Sequence, residues 1–315
     1  MNKLAIIAIG GNSLIRNGEK GTTDEQIKNA EKTFSHISEI LKLGFRVVIT
    51  HGNGPQVGNQ LLRTEAGEKV FNIPLEPLDV CVSDTQGTIG YILQQTFENV
   101  LKKKKLHYNI ISIITQCIVD ENDSAFWFPS KPIGPFYTKE DAEKKISELK
   151  WIMKEDSGRG FRRVVASPKP IDIVEVEAIK SLLENNFIVI ACGGGGIPVI
   201  QKNKNLVGVE AVIDKDRASS FLAKKLNADY FIISTDADKV YLNYKKANQI
   251  ALDKLTVVEA KQFLSDWQFP AGSMGPKIEA AIDFVSSKEK ICIITSPENI
   301  FNSLKGKEGT KIVFS

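Results

Sequence analysis

The sequence predicts an α/β protein: a three-layer αβα sandwich around a mainly parallel open sheet, with a protruding lid subdomain. Two observations carry that prediction and a third qualifies it. Short continuous apolar runs recur, as at Leu4–Ile9 and Ile291–Thr295, and runs of that length mark strands buried on both faces. Between them lie longer stretches with helix-start and helix-stop signals, so strands and helices alternate and parallel crossovers follow. From about 117 to 167 the rhythm breaks, and proline and aromatic density there argue for an excursion from the main sheet.

Taken in order, the first strand enters a loop at Gly10-Gly11-Asn12. Thr23 is placed to cap the next helix, with Asp24 and Glu25 in its first turn and Gly44 closing it just past Leu43. A strand at 45–50 ends in the loop HGNGPQVG (51–58), and a helix runs on to about Ala66. Ser83 and Gln86 fit a capping box for a helix over 84–101. The run KKKK at 102–105 should end that helix, where cations complement the dipole and stay solvated. A strand follows at 109–115. Within the excursion lie FWFPSKPIGPFY (126–137), a charged helix over 139–150 and GRGFRRVVASPKP (158–170). Alternation resumes with a helix over 174–185, a strand at 187–191 and four glycines at 193–196. A helix over 215–226 and a strand at 230–233 come next, then a capping box at Thr256 and Glu259. A helix from about Pro276, strand Ile291–Thr295 and a last strand at 311–314 complete the chain.

At 315 residues, with 42% hydrophobic and 25% charged side chains, the chain has ample apolar content for two lobes or one large domain. A formal charge of +3 is too small to argue for nucleic acid or a membrane surface, and KKKK lacks interleaved aromatics or arginines. No apolar run is long enough to span a bilayer, and the first residues lead straight into a strand, without a signal-peptide pattern. The four cysteines (Cys81, Cys117, Cys192, Cys292) show no close pairing, and neither Cys-x-x-Cys nor His-Glu-x-x-His occurs. Buried free thiols in a reducing cytoplasm are therefore expected, and a zinc site is not.

Two segments carry the chemistry. GVEAVIDKDRAS (208–219) places Lys215 and Asp216 where a helix begins, and FPAGSMGPKIEAA (269–281) delivers Lys277 to another helix start. Oriented N–H groups beside lysines suit a multiply charged anion, of which phosphate is the usual one. Gly10-Gly11-Asn12, Gly52-Asn53-Gly54 and Gly193 to Gly196 each follow a strand, and the carboxyl ends of strands in an open sheet line one ligand crevice. The P-loop pattern is absent. Gly52, Gly54 and Gly58 suggest a dinucleotide fingerprint, but Pro55 opens the helix and no acid-ended strand follows about 20 residues on. Each feature has a blander reading. A glycine loop alone is a tight turn, Asp214 and Asp216 alone are helix-start acids, and a lone lysine is a solvated charge. Lys131 departs from that rule because it sits between Pro129 and Pro132 in an aromatic cluster. His51 reads as a satisfied structural histidine, His36 and His107 as incidental. Arg159, Arg162 and Arg163 either support the excursion or contact anions.

Nine motifs in order carry a resemblance: AIGGNSL, THGNGPQVG, PLDVC with TQGTIGY, SKPIGPFY, GRGFRRVVASPKP, ACGGGGIPV, GVEAVIDKDRAS, STDADKVYLNY and FPAGSMGPKIEAA. The chain resembles the carbamate kinases of the amino-acid kinase superfamily nearly end to end, and SKPIGPFY is the most telling segment because related acid-phosphorylating kinases lack it. Val82-Ser83-Asp84 and Ala166 depart from the family pattern. The resemblance implies the amino-acid kinase fold and reversible phosphoryl transfer between ATP and carbamate, giving ADP and carbamoyl phosphate. Production of ATP in arginine catabolism is the expected use. Residues 1–200 would form the carbamate and phosphoryl lobe, with the lid at about 117–167, and 201–315 the nucleotide lobe. Lys131 would reach down from the lid to the transferring phosphoryl group. Lys215 and Lys277 would bind the phosphates of ATP, and Asp216 would hold these lysines in place. Gly10, Gly11, Asn12, Gly52, Asn53 and Gly54 would donate N–H groups to phosphoryl and carbamate oxygens. Asp236, Tyr241, Met274 and Gly275 would lie near the nucleotide. Mg²⁺ would come with ATP, held mainly by phosphate oxygens and water, with no protein ligand named. A cytoplasmic homodimer is implied. Three other readings stand beside it: a paralogue acting on another small acid, motivated by Asp84; a non-catalytic ligand sensor; and a nicotinamide-dependent dehydrogenase, motivated by Gly52 to Gly58.

Overall fold

In a computed structural model, residues 2–16, 18–156, 158, 160–270 and 272–315 are described; the side chain of Asn12, and Arg159 altogether, lie outside them. The apolar run LAIIAI forms β1 (Leu4–Ile9), and a 3₁₀ turn at Gly11–Ser13 leads to α1 (Thr23–Leu41). Next come β2 (Arg46–His51), α2 (Gly54–Phe71), α3 (Leu78–Lys103), β3 (Asn109–Ser112) and β4 (Gln116–Val119). The excursion holds β5 (Lys131–Tyr137), α4 (Lys139–Leu149), β6 (Met153–Glu155) and β7 (Phe161–Val165). The chain returns through β8 (Pro170–Ile173), α5 (Val176–Glu184), β9 (Phe187–Ile190), β10 (Ile197–Lys202) and β11 (Asn205–Gly208). It continues with α6 (Lys215–Lys225), β12 (Tyr230–Ser234), β13 (Val240–Leu242), β14 (Ile250–Leu252), β15 (Lys254–Thr256) and α7 (Val257–Ser265). The last elements are α8 (Met274–Phe284), β16 (Ile291–Thr295), α9 (Ile300–Leu304) and β17 (Thr310–Val313).

Eight strands make the main sheet in the order β15-β17-β16-β12-β1-β2-β9-β3, parallel except where β16 meets β17. Alternate residues of β1 feed the two faces. Leu4, Ile6 and Ala8 join a core with α5, α6, α7 and α8, while Ala5, Ile7 and Ile9 join one with α1, α3 and α9. Phe34 of α1 stacks on Phe97 of α3 with ring centroids 4.3 Å apart, closing the second layer. The predicted αβα sandwich is therefore the architecture. From β1 the sheet grows one way through β2 and β9 and the other way through β12 and β16, so the chain reverses direction at its centre. The register Ile9↔His51 and Ile9↔Ser234 brings three strand ends to one level. A crevice beyond parallel strands at such a switch point is where α/β sheets take ligands.

The excursion is a three-stranded sheet, β5-β7-β6, carrying α4. It is seated on the body, not dangling from it. Ile133 and Val165 pack with Val57, Leu61, Leu78, Cys81 and Val82 in a small separate core. Gly134, at φ +72°, lies so close to Gly58 that a Cβ on Gly58 would stand 1.9 Å from its Cα.

Several boundaries differ from expectation. The cap of α1 is Thr22, one residue earlier, in a reciprocal box with Glu25. The expected box at Ser83 and Gln86 is absent, because α3 begins at Leu78, whose N–H donates to the Glu210 carboxylate at 2.7 Å. Ser83 instead donates to the Val80 carbonyl, and Gln86 is buried, bonded to the backbone of Thr115 and Gly193. Helix α2 starts inside the HGNGPQVG segment, with Pro55 in its first turn, and continues to Phe71. The strand foreseen over 109–115 ends at Ser112, and β4 restarts in a second sheet, β11-β10-β4-β8. KKKK does end α3, but Lys104 is held by the Ser35 carbonyl, Ser38 and Glu39 rather than left to solvent. Arg162 bonds the Gly134 carbonyl and pairs with Asp156, and Arg163 pairs with Glu210, so both brace the lid.

Candidate active site

The crevice at the carboxyl ends of β1, β2 and β12 is built by three loops and two helix starts. Asp214 caps α6, its Oδ1 accepting from the N–H groups of Asp216 at 2.9 Å and Arg217 at 3.4 Å. That cap sets Lys215 and Asp216 in the first turn. Lys277 lies in the first turns of α8, whose opening loop ends at Ser273. The Lys215 ammonium meets Asp216 Oδ1 at 2.5 Å and that of Lys277 meets Oδ2 at 3.2 Å. One buried carboxylate thus gathers two lysines from different helices. From the lid, Lys131 at the start of β5 meets Asp214 Oδ2 at 2.5 Å. The structure therefore brings Lys131, Lys215, Lys277 and Asp216 to one place.

The glycine loops close around them. The stem of Lys215 runs over Gly52, within 3.7 Å of where a Cβ would stand, and Gly11 N lies 3.9 Å from the same point. The first N–H groups of the Gly11–Ser13 turn and of α2 at Gly54 have no acceptor within their own helices. Gly10 is pressed against the Ser234 carbonyl. Gly52 differs from expectation: its N–H donates to the Ile9 carbonyl at 3.2 Å, so it offers shape rather than a free donor. Asn53 turns its buried side chain to Thr85. The third loop is not bare either, since Gly195 and Gly196 donate to Cys192 and Gly193. Its left-handed glycines are a packing floor, where a Cβ at Gly194 would strike Asn53 and one at Gly195 the Ile213 carbonyl.

Electrostatics follows from burial and pairing. Burial opposes charge on Asp214, yet the ammonium groups of Lys131, Lys215 and Lys277 hold its carboxyl far below the usual carboxylate range. Asp216 is likewise held down against burial by Lys215 and Lys277. Burial pulls the Lys215 ammonium down despite Asp216, helped by the like charge of Lys277. For Lys277 burial acts the same way, but Asp216, with Asp214 and Asp236 beyond it, raises it. His51 is fully buried and donates through Nδ1 to the Gly52 carbonyl, which fixes its tautomer; burial depresses it to about 4, so it stays neutral and plays no visible acid–base part.

Beside Lys277 opens a cavity of about 190 Å³ lined by Asp236, Tyr241, Tyr244, Phe269, Pro270 and Met274. Aromatic walls around a few polar groups suit a flat heterocycle. Gly275 lies behind the wall, its N–H taken by the Pro270 carbonyl. Sequence reasoning missed Tyr244 and Phe269, although Tyr244 closes the STDADKVYLNY motif. It also missed that Asp214 pairs with Lys131, because capping alone explains an acid at that position. Among the described residues no group of three or more His, Cys, Asp or Glu is arranged to hold a metal ion, and no helix is long and apolar enough to cross a membrane.

A model of the amino acid kinase family matches residues 3–296. The carbamate kinase of Pyrococcus furiosus is 48% identical over 313 residues, covering 99% of this chain and all of its own. That of Clostridium perfringens is 46% identical over 310 residues, 98% of this chain and 99% of its own. The structure of carbamate kinase from Giardia lamblia bound to AMP-PNP superposes with a TM-score of 0.92 at 44% identity, covering 100% of this chain and 99% of that one.

Proposed function

The chain belongs to the amino acid kinase family, among its carbamate kinases, and from that premise we propose that it moves the γ-phosphoryl group of ATP to carbamate and back. A carbamate oxygen attacks the γ-phosphorus, the bond to the β–γ bridging oxygen breaks, and ADP and carbamoyl phosphate leave. Carbamate is already an anion, so the step needs no general base. What it needs is alignment and cations around the moving phosphoryl group. The convergence of Lys131, Lys215 and Lys277 on the adjacent Asp214 and Asp216 is the observation that carries this reading.

In this reading Lys215 and Lys277 bind the nucleotide phosphates, Asp216 keeps them apart and aimed, and Lys131 contacts the phosphoryl group from the lid. Gly10, Gly11, Asn12, Asn53 and Gly54 donate backbone N–H groups, and Gly52 leaves room for the Lys215 stem. Residues 1–200 bind carbamate and the phosphoryl group, and residues 201–315 bind the nucleotide. The cavity with Asp236, Tyr241 and Met274 takes the base, its aromatic lining beside Lys277 supporting that placement; a nucleotide as ligand is supported by AMP-PNP, an ATP analogue, in the Giardia relative. The Asp216 carboxylate is shared by two lysines, and the Mg²⁺ that accompanies ATP is assigned to phosphate oxygens and water. A cytoplasmic homodimer that makes ATP during arginine breakdown completes the proposal. Coupled detection of ATP formed from ADP, Mg²⁺ and carbamoyl phosphate tests it: turnover is expected, and its absence would reject the assignment. Sedimentation of the pure protein checks the dimer.

A further inference from the structure

Asp214 divides its carboxylate between two tasks. Oδ1 is committed to the cap of α6, which fixes the side chain rigidly to the nucleotide half of the molecule. Oδ2 holds Lys131, a residue of the lid 83 positions away in sequence. Asp216, two residues on, is already shared by Lys215 and Lys277. Three ammonium groups therefore face two carboxylates, and Lys131 is the one whose partner is not shared with another lysine. Among the described residues, the lid also meets this region through the Arg163–Glu210 pair at 3.7 Å, the contact of Ala166 with Ala211 and Val212, and the packing of Ile133 and Val165 with Val212. A phosphoryl group entering among the lysines is a doubly charged competitor for Lys131 that Asp214, with one charge, cannot match.

We propose that Asp214 is a positioning residue: its carboxylate, fixed by capping α6, holds the lid ammonium beside Lys215 and Lys277 until the transferring phosphoryl group replaces it as partner. The inference rests on the reading that Lys131 contacts that group. Without Asp214 the long side chain of Lys131 would disperse into solvent, and each turnover would have to recapture it. With it, the lysine travels a short distance between two anions on one surface.

Asp214→Asn tests this, because Asn caps a helix as well as Asp but lacks the charge. We expect kcat for ATP formation to fall on the order of tenfold or more, with the KM for ADP within about twofold. Added to Lys131→Ala, the same change should alter kcat by less than about twofold, since the lysine it positions is gone. Wild-type kcat in Asp214→Asn alongside a loss in Asp214→Ala would assign the residue to capping only and overturn the proposal. Additive losses in the double variant would do so too. Should Asp214→Asn fail to fold, Asp214→Ser, which also caps, answers the same question. Full activity in Lys131→Ala would instead remove the premise. A crippled Lys131→Ala beside an unaffected Asp214→Asn would remove this inference alone.

Discussion

At the residue scale, Lys215 and Lys277 were legible because each is delivered to a helix start by backbone that also presents N–H groups, and Lys131 because it sits between Pro129 and Pro132 in an aromatic cluster. Their common focus was not, since nothing in the spacing of 131, 215 and 277 says that they meet. Replacing Lys215 or Lys277 by Ala should lower kcat by about 10²-fold or more, the scale of losing one preorganised charge-stabilising donor. Steady-state rates near wild type in both variants would remove the nucleotide-side assignment. His51 gives a second prediction, one of stability. Its folded value of about 4 lies below the ordinary histidine value of 6.5, so between these the unfolded chain accepts a proton that the folded protein refuses. Its stabilising contribution is complete above about pH 6.5 and is lost as pH falls toward 4, by about 3 kcal/mol in all. Denaturant midpoints measured across that window should fall for the wild type and fall less steeply for His51→Gln.

At the scale of elements, apolar runs placed every strand of the main sheet except β15 at its edge, because a strand buried on both faces is written as an unbroken apolar run. Helix starts were read less well. Ser83 and Gln86 fit a capping pattern in the interior of α3, where Gln86 is in fact spent on tying the helix to the Thr115 and Gly193 backbone. A local pattern cannot reveal that a carboxylate 132 positions away, on Glu210, satisfies the true start at Leu78. The short edge strands β13 and β14 carry mostly exposed or half-exposed side chains, so no apolar run announced them. The lid was legible as a break in rhythm, but not its seat. The seat rests on Gly58 of α2 against Gly134 of β5, backbone on backbone. A methyl group there has no flexible neighbour to displace, so Gly58→Ala should lift β5 from α2 and carry Lys131 away. We expect kcat to fall by at least tenfold, and amide exchange over 131–137 to quicken while that of β1 is unchanged. Unchanged exchange in the lid would show that the contact is not its pivot.

At the scale of the molecule, composition foresaw reduced, buried thiols, and all four cysteines are free and buried. Burial, with nearby carboxylates, pushes Cys81 and Cys117 up to about 12, and Cys192 and Cys292 are raised well above the ordinary value. Thiolate is the reactive form. A disulfide reagent should therefore find almost no thiol in the native protein at neutral pH and all four after unfolding; rapid native labelling of any of them would contradict the packing. The order of strands was beyond the sequence, because alternation demands a parallel sheet without saying which strand lies in its middle.

That middle position belongs to β1, whose two neighbours are β2 and β12. While the polypeptide emerges from the ribosome, β2 can pair at once, but the opposite edge of β1 stays uncovered until Tyr230–Ser234 has been synthesised. For most of translation the nascent molecule thus displays an apolar, hydrogen-bond-hungry border, which is a template for misassociation. Truncated versions that stop short of β12 should aggregate, and guarding that border is a task for cellular chaperones.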